Sequence, residues 1–281
     1  MRVVRASLAL VVAAASACAT FTATDTQLTD GGAPDAATVI EASPPDAPGG
    51  AHFCANKTLS ADHACFDFDD GALPTAATGW LIVQKGADMM TVIPGGAHAS
   101  PFALALAGQR VAGGVPSGAA IRRALGGPRP SALTAAFSAQ RTFVHGATND
   151  GSQNYDLLVV KGSNATQTDH FQLELRPDGK LNMLEVVTEN ASGVATYKVE
   201  LASLDVPALG QRFTDIALTV SFPTGDSSRA TLTVGGMPAA SGNAQFHFMT
   251  SIDDVTWGDS ALSEGVDYQT AIDDLTLDVT P

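Results

Sequence analysis

The chain has 281 residues, 45% of them hydrophobic, so it can bury a sizeable core, and an all-β sandwich can use well over 200 residues as one domain. Lys and Arg total 15 against 29 Asp and Glu, a formal charge of −14. That surface repels nucleic acid and anionic headgroups, which excludes both as partners and leaves many carboxylates free for divalent cations. Charged residues are sparse and small residues abound, a mixture suited to short strands and tight turns.

The N-terminus reads as an export signal. Arg2 and Arg5 form a basic start, and Ala6 to Ala15 an apolar run too short to span a bilayer. Ala15-Ser16-Ala17-Cys18 resembles the lipobox of bacterial lipoproteins, with Ala15 in place of the usual Leu or Val. The resemblance implies cleavage after residue 17, acylation of Cys18, and membrane attachment through that lipid alone. Ala19, rather than Asp, follows the cysteine, which by the same resemblance favours the outer membrane. An ordinary secretory signal cleaved near Ala17 is the plainer alternative. Residues 18–50 are mostly Asp, Ala, Thr, Pro and Gly with few large apolar residues, and read as a disordered tether.

Residues 51–281 form the expected globular domain. Three cysteines are an awkward number in an oxidising compartment. If Cys18 carries lipid, Cys54 and Cys65 remain as a disulfide pair, which is favoured over free thiols or a zinc site with His52 and His63 nearby. Alternating or short apolar runs then recur: Cys65 to Asp69, Tyr155 to Val160, Phe171 to Leu175, Leu181 to Val187, Ala195 to Leu201, Ile216 to Val220 and Ala230 to Val234. Turn residues separate them, most plainly Arg176-Pro177-Asp178-Gly179-Lys180. The expectation is all-β, an antiparallel β-sandwich or jelly roll.

Several of these segments, in order, resemble the concanavalin-A-like lectin/glucanase superfamily, particularly its laminin-G-like branch. They are Phe66 to Gly71 with Trp80, Phe171 to Leu181, Gly210 to Val220, Ala230 to Gly236 and Ala271 to Val279. Phe213, Asp215 and Gly235 stand where that branch usually has Trp, His and Asp. The carboxylate strand of the superfamily's glucanases, Glu-x-Asp-x-x-Glu or Glu-x-Asp-x-Glu, does not occur; Glu185 and Glu189 flank Val187 instead of Asp. No nucleophile elbow, zinc-protease helix or phosphate loop is found. A non-catalytic domain is the expectation, with enzyme activity left open because separated acids can converge in space.

Three acidic pairs stand out. Related jelly rolls hold a structural calcium where first and last strands meet, which makes Asp69, Asp70, Asp273 and Asp274 candidate Ca²⁺ ligands. Neighbours on a strand point to opposite faces, so only one member of each pair need reach a common ion. Solvated strand ends are the bland alternative. Trp257 beside Asp253, Asp254 and Asp259 forms the candidate sugar-binding cluster, with a core tryptophan as its alternative. His145, His170 and His247 read as isolated and structural. The expected role is a surface-anchored carbohydrate-binding lipoprotein whose partner is a glycan or surface polymer. A structural or adhesive protein contacting another envelope protein comes second, and a polysaccharide-active enzyme third.

Overall fold

The computed structural model describes residues 52–86, 88–98, 100–108, 117–145, 155–176, 178–222, 228–244, 250–262 and 267–281. The expected signal segment 1–17, the expected lipid-attachment residue Cys18, the expected tether 18–50, and His247 lie outside the described residues. In chain order the strands are β1 (His63–Phe66), β2 (Trp80–Lys85), β3 (Met89–Pro94), β4 (Phe102–Gly108) and β5 (Ser117–Pro128). Next come β6 (Ala132–His145), β7 (Tyr155–Ser163), β8 (Gln167–Leu175), β9 (Lys180–Glu189) and β10 (Ala195–Asp205). The last are β11 (Thr214–Ser221), β12 (Ser228–Val234), β13 (Met237–Ala244), β14 (Ser251–Leu262) and β15 (Asp267–Thr280).

They build two antiparallel sheets packed as a jelly-roll sandwich, in orders β13-β12-β11-β6-β15-β4-β3, with β1 also paired to β15, and β10-β9-β8-β7-β14-β5-β2. Period-2 alternation explains the packing. Phe171, Leu173 and Leu175 of β8 point inward and are buried, while His170 and Gln172, on either side of Phe171, face out. The turn between β8 and β9 forms as its residues dictate: Gly179 takes φ +91° and its N–H reaches the Arg176 carbonyl at 2.9 Å.

The core lies between the sheets. Trp257 and Trp80 meet at 5.2 Å between ring centroids, and Tyr155 stacks on Tyr268 at 4.3 Å. After Trp257, Gly258 adopts φ +93°; a Cβ there would lie 2.6 Å from the Ala119 carbonyl oxygen, so only glycine fits.

Two local devices shape the functional surfaces. Cys54 and Cys65 are disulfide-bonded across 11 positions and fix the segment that follows residue 51 to β1. Replacing both by Ala is expected to cost about 3 kcal/mol by freeing that loop in the unfolded chain, measured by guanidinium unfolding. The second device is a bulge in β15. Its register against β6 jumps from Asp273–Ser138 to Thr276–Ala136, and its other side passes from β4 to β1 at the same place. Asp274, in the bulge, takes φ +55°, a left-handed conformation that Asp tolerates better than most residues.

Candidate functional site

The outer face of the seven-stranded sheet carries a groove of about 330 Å³ across β5, β14, β7 and β8. Strand register sets its lining in rows perpendicular to the strands. One row runs Arg122, Thr256, Val159, Gln172, and beside it lie Asp254, Lys161 and His170. On the other side Asp156 stands opposite Glu174, Glu174 opposite Asn182, and Asn182 opposite Ser203. Neighbouring strands are about 4.8 Å apart, so the rows present polar groups at a regular spacing across the sheet.

The polar groups hold one another in place. Gln172 Nε2 donates to Asp156 Oδ2 at 3.4 Å, and the Asp156 N–H donates to Asp259 Oδ2 at 3.3 Å. Thr256 Oγ1 donates to Asp254 Oδ1 at 3.1 Å. Farther along, Ser203 Oγ donates to Asn182 Oδ1 at 2.7 Å, and Asn182 Nδ2 to Glu200 Oε2 at 3.0 Å. Lys198 Nζ lies 3.8 Å from Glu174 Oε1.

Burial, with the negative charges of Asp259 and Glu174 close by, pushes the Asp156 carboxyl well above the usual carboxylate range. Burial also raises Asp254, and burial plus Lys161 lowers His170 to about 4, so its ring is neutral at physiological pH. The groove therefore offers several carboxyls, one of them held well above the usual range, with a neutral imidazole, a primary amide and two basic side chains within one concave strip.

The sequence-predicted site residues divide between the two faces. Asp254 lines the groove; Asp253 instead accepts from Ser163 Oγ at 2.8 Å and from Ser251 Oγ at 3.3 Å. Trp257 is a correction: it is 0% exposed, its ring packs on Trp80 between the sheets, and it has no face to offer a ligand. Sequence reasoning missed Arg122, Asp156, Lys161 and Gln172 and set His170 aside as isolated. Asp156, Lys161, His170 and Gln172 are the outward positions of β7 and β8, a signal that alternation within the recognised strands did contain.

Of the expected calcium ligands, Asp69, Asp273 and Asp274 converge at the β15 bulge and Asp70 does not; it is exposed. Asp69 accepts from Ser100 Oγ and, at 3.2 Å, from the Phe53 N–H. Asp273 accepts from the N–H groups of Ala97 and Asp274, both at 2.9 Å. Burial and mutual repulsion push Asp273 up to about 6 and Asp274 to about 8. Among the described residues, the metal-spaced group here is His52, Asp67 and Asp69.

No protein family and no curated protein matches this chain. Solved structures do. An endo-β-1,4-glucuronan lyase from the fungus Trichoderma reesei superposes with a TM-score of 0.50 at 8% identity, covering 72% of this chain and 92% of that one. An endo-1,3-β-glucanase from Streptomyces sioyaensis gives 0.47 at 11% identity, covering 80% and 99%. The carbohydrate recognition domain of Emp47p gives 0.44 at 10%, covering 79% and 97%. At these identities the likeness is one of fold, the concanavalin-like jelly roll.

Proposed function

We propose that the groove of the seven-stranded sheet binds a polysaccharide, and that the protein displays this domain from the bacterial envelope on a lipid anchor at Cys18. One observation carries the reading. Hydrogen-bonding side chains from four adjacent strands, Arg122, Thr256, Lys161 and Gln172 among them, line one concave strip in register. A sugar chain lying across the strands would exchange its hydroxyls for water at each of them. Among the described residues the strip contains no Trp, Tyr or Phe, so these residues make contact through hydrogen bonds rather than ring stacking.

Affinity electrophoresis in gels containing dissolved polysaccharide tests this. The wild-type protein is retarded by at least one polymer, and Gln172→Ala or Arg122→Ala weakens the retardation about tenfold. Equal mobility of wild type and both variants in every retarding gel would place binding elsewhere.

A second reading has its own support. Asp156, Asp259 and Glu174 come together at one end of the groove although no motif links them in sequence. A carboxyl held well above the usual carboxylate range beside two further carboxyls is an arrangement suited to glycosidic bond hydrolysis. In that case the retained polymer gains reducing ends with time, and Asp156→Asn abolishes their release while leaving retardation in place.

A further inference from the structure

The outer face of the eight-stranded sheet, on the far side of the sandwich from the groove, holds a second cavity of about 370 Å³. Its floor is small and largely apolar: Ala136 of β6, Ala217 of β11 and Thr276 of β15. Phe53 and His98 form its rim, their rings inclined by 15° with centroids 6.2 Å apart. The disulfide at Cys54 holds the Phe53 segment there, helped by the Cys54 N–H donating to Asp67 Oδ2 at 2.8 Å.

Asp274 also lines this cavity. It is 3% exposed, and neither carboxylate oxygen accepts a hydrogen bond; His98 Nε2 stands 4.0 Å away. Asp215, on the rim, accepts from Ser138 Oγ at 2.6 Å and lies 2.9 Å from His98 Nε2. Asp67, Asp69 and Asp273 stand behind, each close enough to repel Asp274. Among the described residues, the ion-pairing partners of these five aspartates are His52 and His98, with no lysine or arginine.

Ionising a carboxyl that is buried without donors and surrounded by other aspartates is opposed unless a cation supplies the missing N–H groups. What this place lacks is therefore positive charge that brings N–H donors. A bare divalent ion answers that poorly. Asp274 is not part of the metal-spaced group, and an ion would leave the apolar floor unfilled. An ammonium group on a short apolar body answers both, with the carbons on Ala136 and Ala217 and the N–H groups on Asp274 and Asp215. The Phe53 ring already takes an ammonium on one face, that of Lys57, at 3.9 Å from the centroid.

We propose that this cavity binds a small organic cation, a primary ammonium carried on a short apolar chain. The site is independent of the groove and of any glycan bound there.

The test is isothermal titration of the purified protein with n-butylammonium chloride, with n-butanol and calcium chloride as separate titrants. Saturable one-to-one binding of n-butylammonium is expected, with none for n-butanol. Asp274→Asn should weaken it about tenfold or more, and Ala217→Leu, which fills the floor without touching a charge, should remove it. Four outcomes overturn the proposal: no saturable n-butylammonium binding by folded wild type, equal binding of n-butanol, unchanged affinity in both variants, or one-to-one calcium binding that n-butylammonium does not displace.

Discussion

Asp169→Asn is expected to raise the stability of the sandwich by about 2–4 kcal/mol at pH 8 and to leave it almost unchanged at pH 4. Asp169 of β8 and Glu185 of β9 both point into the inter-sheet layer and are both 0% exposed. Burial, then the Glu185 carboxylate beside it, pushes the Asp169 carboxyl up to about 8. The sign follows from proton counting. Below the ordinary aspartate range of about 4 both folded and unfolded chains hold the proton, and nothing is lost. Between there and about 8 the unfolded chain releases it while the fold keeps it, so stability falls as pH rises and then levels off. Asn mimics the protonated form at every pH and abolishes that slope. Urea midpoints at pH 4, 6 and 8 measure it; a midpoint difference between wild type and variant that does not grow with pH contradicts the account.

Trp257→Ala should cost about 3–5 kcal/mol, the range for deleting a large buried aromatic ring. The ring is fully enclosed between the sheets against Trp80, and its Nε1–H has no hydrogen-bond partner, so no polar contact is recovered or lost in the exchange. The cavity sits beside Gly258 and Ala119, whose backbones are in tight contact and leave little room for collapse. Trp257→Phe should cost clearly less and leave polysaccharide retardation intact. That pair of results separates a core tryptophan from a sugar platform, the role its neighbouring aspartates suggested from sequence. Loss of retardation in a folded Trp257→Phe protein would return it to the site.

The strands visible in the sequence were those with branched or aromatic residues alternating with polar ones, such as Phe171 to Leu175, which lies within β8, and Ile216 to Val220, which lies within β11. Strand β6 and much of β4 and β5 are alanine-rich, and alanine has poor strand propensity, so their pairing reflects tertiary context rather than local preference. Yet β6 is central, pairing with both β11 and β15. The run Cys65 to Asp69 alternates cleanly, but β1 ends at Phe66, because Asp67 and Asp69 turn to accept the N–H groups of Cys54 and Phe53.

The site was less legible for a related reason. Groove residues come from β5, β14, β7 and β8, which are neighbours in the sheet and far apart in the chain. Adjacent acids drew notice as Asp253-Asp254 and Asp273-Asp274, and Asp259 through its nearness to Trp257, whereas Asp156 and Glu174 join Asp259 through register alone. Convergence of Asp69 with Asp273 and Asp274 was foreseeable from the pairing of first and last strands. The bulge that aims Asp274 at a separate cavity was not, since nothing in Asp-Asp-Leu-Thr marks a left-handed residue.

A glycan-panel screen of the purified wild-type protein beside a Val159→Trp variant tests the central claim most directly. Val159 lies on the groove floor between Thr256 and Gln172, so a tryptophan there fills the strip without altering a polar group or the core. Saturable binding of a polysaccharide or oligosaccharide by wild type, lost in the variant while its unfolding midpoint is kept, is the predicted result. Binding that survives in Val159→Trp, or no binding of any panel member by folded wild-type protein, contradicts a polysaccharide groove on this sheet.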